Sequence, residues 1–283
     1  MKIGAVMFFT TASMRPAPLA LELERRGFES LWVPEHTHIP SSRKTAYPAG
    51  GGLIQPYYEI MDPFLVLNAA ATVTTKLKVG TGIALVIQRD PIITAKEVAT
   101  IDQLSEGRFI FGVGNGWNQD EIENHGTAFK TRHKLARERI EAMKAIWTME
   151  EPEYHGEFVK FDKMKMWPKP YQKPHPPIIV GGRLEYAAKR AFRYGDGWIP
   201  RDDWLETEGI ESIHTFRKMA ADAGRDPASL PISVFRHPEN LDRLKLCQDL
   251  GIDRVVFTLP AEKEDKLLPI MDRWAELKHK LGI

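Results

Sequence analysis

Along this chain, two hydrophobic rhythms take turns. Short apolar runs of strand length, bounded by glycine, proline or polar residues, alternate with longer stretches whose apolar residues recur at helical spacing. The clearest unit is Pro91 to Trp117, PIITAKEVATIDQLSEGRFIFGVGNGW. Pro91 suits a first helical turn, and Ile93, Val98, Ile101 and Leu104 fall mainly on one face. Arg108 to Val113, between Gly107 and Gly114, reads as a strand buried on both faces. Gly114, Asn115, Gly116 and then Trp117 follow at its carboxyl end. Two of the first three lack a Cβ and asparagine tolerates unusual dihedrals, so a flat ligand could approach the backbone there.

The same alternation predicts strands at 2–9, 30–35, 77–86, 177–180, 197–200, 232–235 and 254–259. Helices are expected at about 16–26, 62–74, 131–148, 184–195, 203–223, 240–250 and 262–280. Eight strands alternating with eight helices imply a parallel sheet, and the count favours closure: an α/β fold, a (β/α)8 TIM barrel. Two stretches break the rhythm. Pro40 to Pro56 is too long for a plain connection and reads as a functional loop. Glu151 to Pro176 is rich in proline, lysine and aromatics, and its EYHGEFVKF alternates like a small hairpin. It is expected to be an insertion (about 151–176) before strand five, covering one mouth of the barrel. No duplicated block and no linker divides the chain, so residues 1–283 are expected to form one domain.

Composition narrows the function classes. With 283 residues the chain has the usual size of such a barrel, and 43% hydrophobic against 27% charged residues supports a large core. A net charge of +1 leaves no electrostatic footprint for nucleic acid or an anionic membrane. The longest apolar runs are strand-sized, too short to span a bilayer. MKIGAVMFFTTA has a superficial likeness to a signal peptide, but the helix behind it favours a first barrel strand. A single cysteine, Cys247, excludes an internal disulfide framework and a thiolate metal site. A soluble cytoplasmic protein is expected.

In a closed α/β barrel the chemistry sits at the carboxyl ends of the strands. Here these carry Phe8 and Phe9, Glu35 and His36, the region of Gly82, Asn115 and Gly116, Gly181 and Gly182, and Pro200 and Arg201. Such a wall suits a planar, largely apolar small molecule. Gly181 and Gly182, directly before a helix, offer backbone N–H groups and a helix dipole to an anion, and Arg183 adds a charge. The competing reading is a tight turn only. Arg201 either reaches the same anion or is solvated. GVGNGW has the wrong spacing for a dinucleotide fingerprint. His36-Thr37-His38 invites a metal, but strand ends five, six and eight supply no further ligands, so none is expected. His36 can move a proton near neutral pH with Glu35 tuning it, or can merely position a ligand. His125 and His133 read as surface or cap residues, while Trp117 and Trp198 lie where they could stack on a ring.

With these residues in view, the chain resembles the bacterial luciferase-like superfamily, in its coenzyme F420-dependent oxidoreductase branch. SLWVPEH (30–36), VGTGIALV (79–86), residues 89–117, PPIIVGG (176–182) and YGDGWIP (194–200) carry the resemblance. It implies a homodimer of single barrels with F420, or alternatively FMN, lying across the strand ends. It also implies a non-prolyl cis peptide at Gly82–Ile83 behind the ring, with Phe8, Thr81, Gly82 and Ile83 around the cofactor. His36 would be the acid/base or ring-contacting group, Asn115 and Gly116 would touch the ring or ribityl chain, and Gly181 and Gly182 would hold the phosphate. Glu35 stands where many deazaflavin enzymes carry aspartate. Asn115 stands where some sugar-phosphate dehydrogenases place a catalytic glutamate, which disfavours that substrate. The expected function is hydride transfer between F420 and a small organic substrate. The alternatives are an FMN-dependent luciferase-like monooxygenase, a metal-dependent barrel hydrolase and a non-catalytic flavin-binding protein.

Overall fold

Aspartate–proline pairs set two of the helix starts. Asp62 accepts hydrogen bonds from the N–H groups of Phe64 and Leu65, and Asp90 from those of Ile92 and Ile93, each followed by a proline that needs no partner. A computed structural model of the chain describes residues 1–48 and 50–283, with the backbone alone at 206–208. Ala49, inside the Pro40–Pro56 segment, lies outside the described residues.

The elements run β1 (Lys2–Met7), α1 (Pro16–Arg25), β2 (Ser30–Val33), α2 (Pro56–Glu59), α3 (Pro63–Ala71), β3 (Lys78–Thr81), β4 (Ala84–Leu85), α4 (Pro91–Leu104), β5 (Phe109–Gly114), α5 (Gln119–Asn124) and α6 (Arg132–Thr148). They continue with β6 (Tyr154–His155), β7 (Lys160–Phe161), β8 (Ile178–Gly181), α7 (Leu184–Tyr194), β9 (Gly197–Ile199), α8 (Asp202–Glu208), α9 (Glu211–Asp222), β10 (Ser233–Phe235), α10 (Leu241–Asp249), β11 (Arg254–Leu259) and α11 (Glu264–Lys280). The parallel order is β10-β11-β1-β2-β3-β5-β8-β9. Bridges from Trp198 to Ile232 and from Arg201 to Phe235 bring the two ends together. The fold is therefore a (β/α)8 barrel.

Strand alternation divides the core in two. Val6, Trp32, Ile110, Ile179, Ile199, Phe235 and Val256 fill the lumen. Their neighbours Met7, Leu31, Val33, Phe111 and Phe257 join the larger layer between strands and helices. Glycines in and just after β3 make room for this lumen: a Cβ on Gly80 would meet the Trp32 ring at 2.7 Å, and one on Gly82 the Phe235 ring at 2.7 Å.

Four elements differ from the sequence expectation. The run 77–86 is two strands, β3 and β4, separated by a cis Gly82–Ile83 peptide, the bond the resemblance implied. The helix expected at 203–223 is broken at Gly209, whose φ of +76° is open to glycine and costly for other residues. Helices α2 and α5 are additional. The insertion does contain an antiparallel hairpin, β6–β7. It lies on α6 and α4 and meets the barrel at the amino end of β5, where the Gln172 side chain donates to the Phe109 carbonyl. It supplies none of the strand-end residues described below. Among the described residues no helix is long and apolar enough to cross a membrane.

Candidate functional site

Ile83 forms the floor of the mouth. It is half-buried on the lumen cluster and sits between two glycines: a Cβ on Gly114 would lie 2.5 Å from its Cδ1, and one on Gly181 3.0 Å from its Cγ2. Gly82 N–H donates to the Val33 carbonyl (2.8 Å), and the buried Thr81 hydroxyl donates to the Gly112 carbonyl (2.7 Å). Thr81 and Gly82 thus hold strands together, whereas Ile83 presents a side chain at the mouth.

The β2 end supplies His36, whose Nδ1 lies 2.8 Å from Glu121 Oε2. Glu121 belongs to α5, is almost fully buried, and leaves its Oε1 without a partner. Glu35 was expected beside His36, yet its carboxylate has other work. Oε2 accepts from Leu85 N–H (2.6 Å) and Oε1 from Arg89 (2.6 Å), which also binds Asp62 and Glu97. Burial opposes a charged Arg89, but the facing Glu35 carboxylate and its hydrogen bond outweigh that and raise its pKa. Glu35 clamps the chain after the cis bond. Glu121 takes the tuning position.

Aromatic rings wall this side. Tyr57 stands 5.1 Å from the His36 ring and 4.8 Å from Phe8, and Trp117 lies 6.1 Å from His36. Tyr47 packs 5.6 Å from Trp117, and its hydroxyl is 3.0 Å from that of Tyr57. Burial, then the Tyr47 hydroxyl, push the Tyr57 phenol pKa up. The 40–56 segment is tied down on α5: Lys44 N–H donates to Asp120, Lys44 Nζ binds Glu123 at 2.7 Å, and the Thr45 hydroxyl accepts from Gln119 N–H. His38 and His125 are linked to Asn124 and Thr37 outside this wall. Among the described residues no three His, Cys, Asp or Glu side chains are grouped to hold a metal ion.

The opposite corner is cationic. The amide of Asn115 donates to His133 Nδ1 (2.6 Å), so this exposed imidazole is neutral in the structure. Partial desolvation and repulsion from Arg132 and Arg190 hold its pKa below the ordinary histidine range. Desolvation lowers the pKa of both arginines too, with Arg190 adding repulsion at Arg132. Neither forms an ion pair among the described residues, and Arg132 Nε is buried without a partner. Arg190 Nη2 would lie 3.4 Å from a Cβ on Gly182, and α7 begins there with no side-chain cap. The uncapped N–H groups of that helix start thus lie beside the Arg190 guanidinium, with Glu185 the one acid of the first turn. Arg183, expected at an anion here, and Arg201, expected there or solvated, lie with their guanidiniums over the Trp204 ring, and Arg201 binds Asp203. Gly116, with φ +65°, has the Ile122 side chain where its Cβ would be.

Sequence reading missed Glu121, Tyr47, Tyr57, Arg132 and Arg190 because they converge from separate segments. The one local signal was the three acids in Gln119–Asn124, just behind the glycine-rich strand end.

A model of the family described as luciferase-like monooxygenase matches residues 15–240. The chain belongs to that family. An uncharacterised Mycobacterium tuberculosis protein is 40% identical over 97% of this chain and 98% of its own length. An FMNH2-dependent dimethylsulfone monooxygenase of Pseudomonas putida is 34% identical, over 56% of this chain and 44% of that protein. An F420-dependent hydroxymycolic acid dehydrogenase of M. tuberculosis is 28% identical, over 73% and 54%. Relatives within the family thus use either coenzyme. In fold, the chain matches monooxygenase RslO1 of Streptomyces bottropensis with a TM-score of 0.81, 19% identity and full coverage of both chains. It also matches an F420-dependent secondary alcohol dehydrogenase at 0.75, with 19% identity and 98% coverage of each.

Proposed function

We propose that this protein is an F420-dependent oxidoreductase acting on a small organic substrate. The observation that carries the reading is the His36–Glu121 pair at the edge of the Ile83 floor. Chemistry at a carbon–oxygen centre moves a proton along with the hydride, and the pair supplies its carrier. Bound F420 would exchange the hydride itself. With Nδ1 engaged by Glu121, His36 has Nε2 for the substrate oxygen, taking its proton on oxidation and returning it on reduction.

The cationic corner fits the coenzyme's phosphate. Arg132 and Arg190 would bind it together with the first N–H groups of α7, beside Gly181 and Gly182, and would relieve the orphaned Arg132 Nε. Asn115 would keep His133 turned toward that tail. The same corner would accept FMN, so the coenzyme is decided by titration. Quenching of F420 fluorescence is expected, and Arg190→Leu should weaken it about tenfold, the scale of one charge-assisted hydrogen bond. Tight FMN binding with no F420 binding would overturn the proposal.

A homodimer belongs to the same reading. Leu65 (74% exposed) and Ile93 (61%) stand on the adjacent starts of α3 and α4, which Arg89 ties together through Asp62. Apolar side chains in such a position suit a second copy. Light scattering that finds a monomer, unchanged by Leu65→Lys, would refute this.

A further inference from the structure

One charged group at the mouth is unused by that chemistry. Arg236 follows β10 directly, at φ +61°, one of two non-glycine residues in the left-handed region among those described. Both neighbours are locked into the barrel: Phe235 N–H donates to the Pro200 carbonyl and His237 N–H to that of Val256. The origin of the Arg236 side chain is therefore fixed at the rim. The Arg132–Arg190 corner aside, several other charges around the mouth are matched. Glu35 holds Arg89, Glu121 holds His36, Asp120 and Glu123 hold Lys44, and Asp203 holds Arg201. Arg236 is exposed and makes no ion pair among the described residues. Its charge, with that of Arg201, acts on the Tyr57 phenol, and Tyr57 stands against His36.

We propose that Arg236 receives an acidic group of the substrate, so that the natural substrate is a small organic acid. Its carboxylate would meet Arg236 while its carbon–oxygen bond lies at His36, within the wall of Phe8, Tyr47, Tyr57 and Trp117. This rests on the reading of His36 as the proton carrier. A planar guanidinium matches a carboxylate in geometry and charge, the tyrosine and tryptophan faces accept an apolar body, and Arg201, the other cation acting on Tyr57, is already engaged by Asp203.

The test uses two probes of one shape, benzoate and benzyl alcohol, with binding to the full-length protein followed by ligand-observed NMR and calorimetry. Benzoate is expected to bind at least about tenfold tighter, and Arg236→Gln to abolish the difference. Arg236→Gly, which suits the backbone, should do the same and guards against a folding defect. Equal binding of the two probes, no measurable benzoate binding, or a preference that survives both variants would overturn the proposal. F420 titration of the same samples reads the coenzyme separately. Its failure would sink the coenzyme assignment while the probe result still judges Arg236.

Discussion

Gly114 and Ile83 are fitted to one another: a Cβ on the glycine would come within 2.5 Å of the isoleucine Cδ1 and 2.8 Å of its Cγ1. The glycine thereby decides how high the isoleucine stands at the centre of the mouth. Gly114→Ala should fold, because a side-chain end can shift, yet bind coenzyme at least about tenfold more weakly in a fluorescence titration. Gly112 makes the contrast. A Cβ there would lie 2.0 Å from the Thr81 backbone oxygen, which has nowhere to go. Gly112→Ala is expected to lose about 3 kcal/mol or more in chemical denaturation.

Glu121 fixes which nitrogen of His36 is free. His36→Ala should lower turnover by about 10² to 10⁴ and leave coenzyme affinity intact. Glu121→Ala should also scramble the tautomer, visible as a change in the imidazole nitrogen shifts, and move the pH profile of turnover. Glu121→Gln keeps an acceptor and should restore the tautomer without the charge. An unaltered nitrogen spectrum in Glu121→Ala would refute the pairing.

At the other end of the barrel, Arg254 forks onto Glu29 with two bonds of 2.6 Å and reaches the Ser233 hydroxyl at 2.9 Å. It links the starts of β2 and β11 across β1, which lies between them in the sheet. Burial works against a charged Glu29, but the Arg254 bonds and charge prevail and bring its pKa down to about 2. A carboxyl lowered in this way stabilises the fold fully above its ordinary pKa, and that contribution fades as pH falls toward and through about 2. Arg254→Leu should cost about 3 kcal/mol at pH 7, since it strands a mostly buried carboxylate. The difference from wild type should shrink in acid as Glu29 protonates. A constant difference across that range would contradict the assignment.

Glu35 offers a test of structure against chemistry. Its two oxygens are taken by Leu85 N–H and Arg89. Glu35→Gln should lower the melting temperature by several degrees while leaving the pH dependence of turnover in place, because His36 keeps Glu121. Arg89→Met should be worse, about 3 kcal/mol or more, because it leaves Glu35 buried and uncompensated.

Where periodicity and capping residues govern, the fold is legible in the residues themselves. Asp62-Pro63 and Asp90-Pro91 announce their helices, and Phe109 to Gly114 announces a strand packed on both faces. The family resemblance located the cis bond, which no local pattern encodes. Gly209 went unread because a glycine inside a helical stretch breaks it only when neighbouring packing asks for a positive φ. Glu121 and His36 are 85 residues apart, and Arg132 and Arg190 meet only because successive helices surround a barrel. Meetings of that kind depend on tertiary geometry and leave no trace in spacing. Gly80 and Gly82 carried the opposite lesson: their positions were visible, but the Trp32 and Phe235 rings that need them were not.

Helix α5 serves two masters. Its one short turn and a half carries Glu121 inward to the imidazole, while Asp120, Glu123 and the Gln119 amide fasten the 40–56 strap from outside. A shift of that strap would therefore be felt at the carboxylate paired with His36. The aromatic wall and the partner of His36 thus hang on a single helix six residues long.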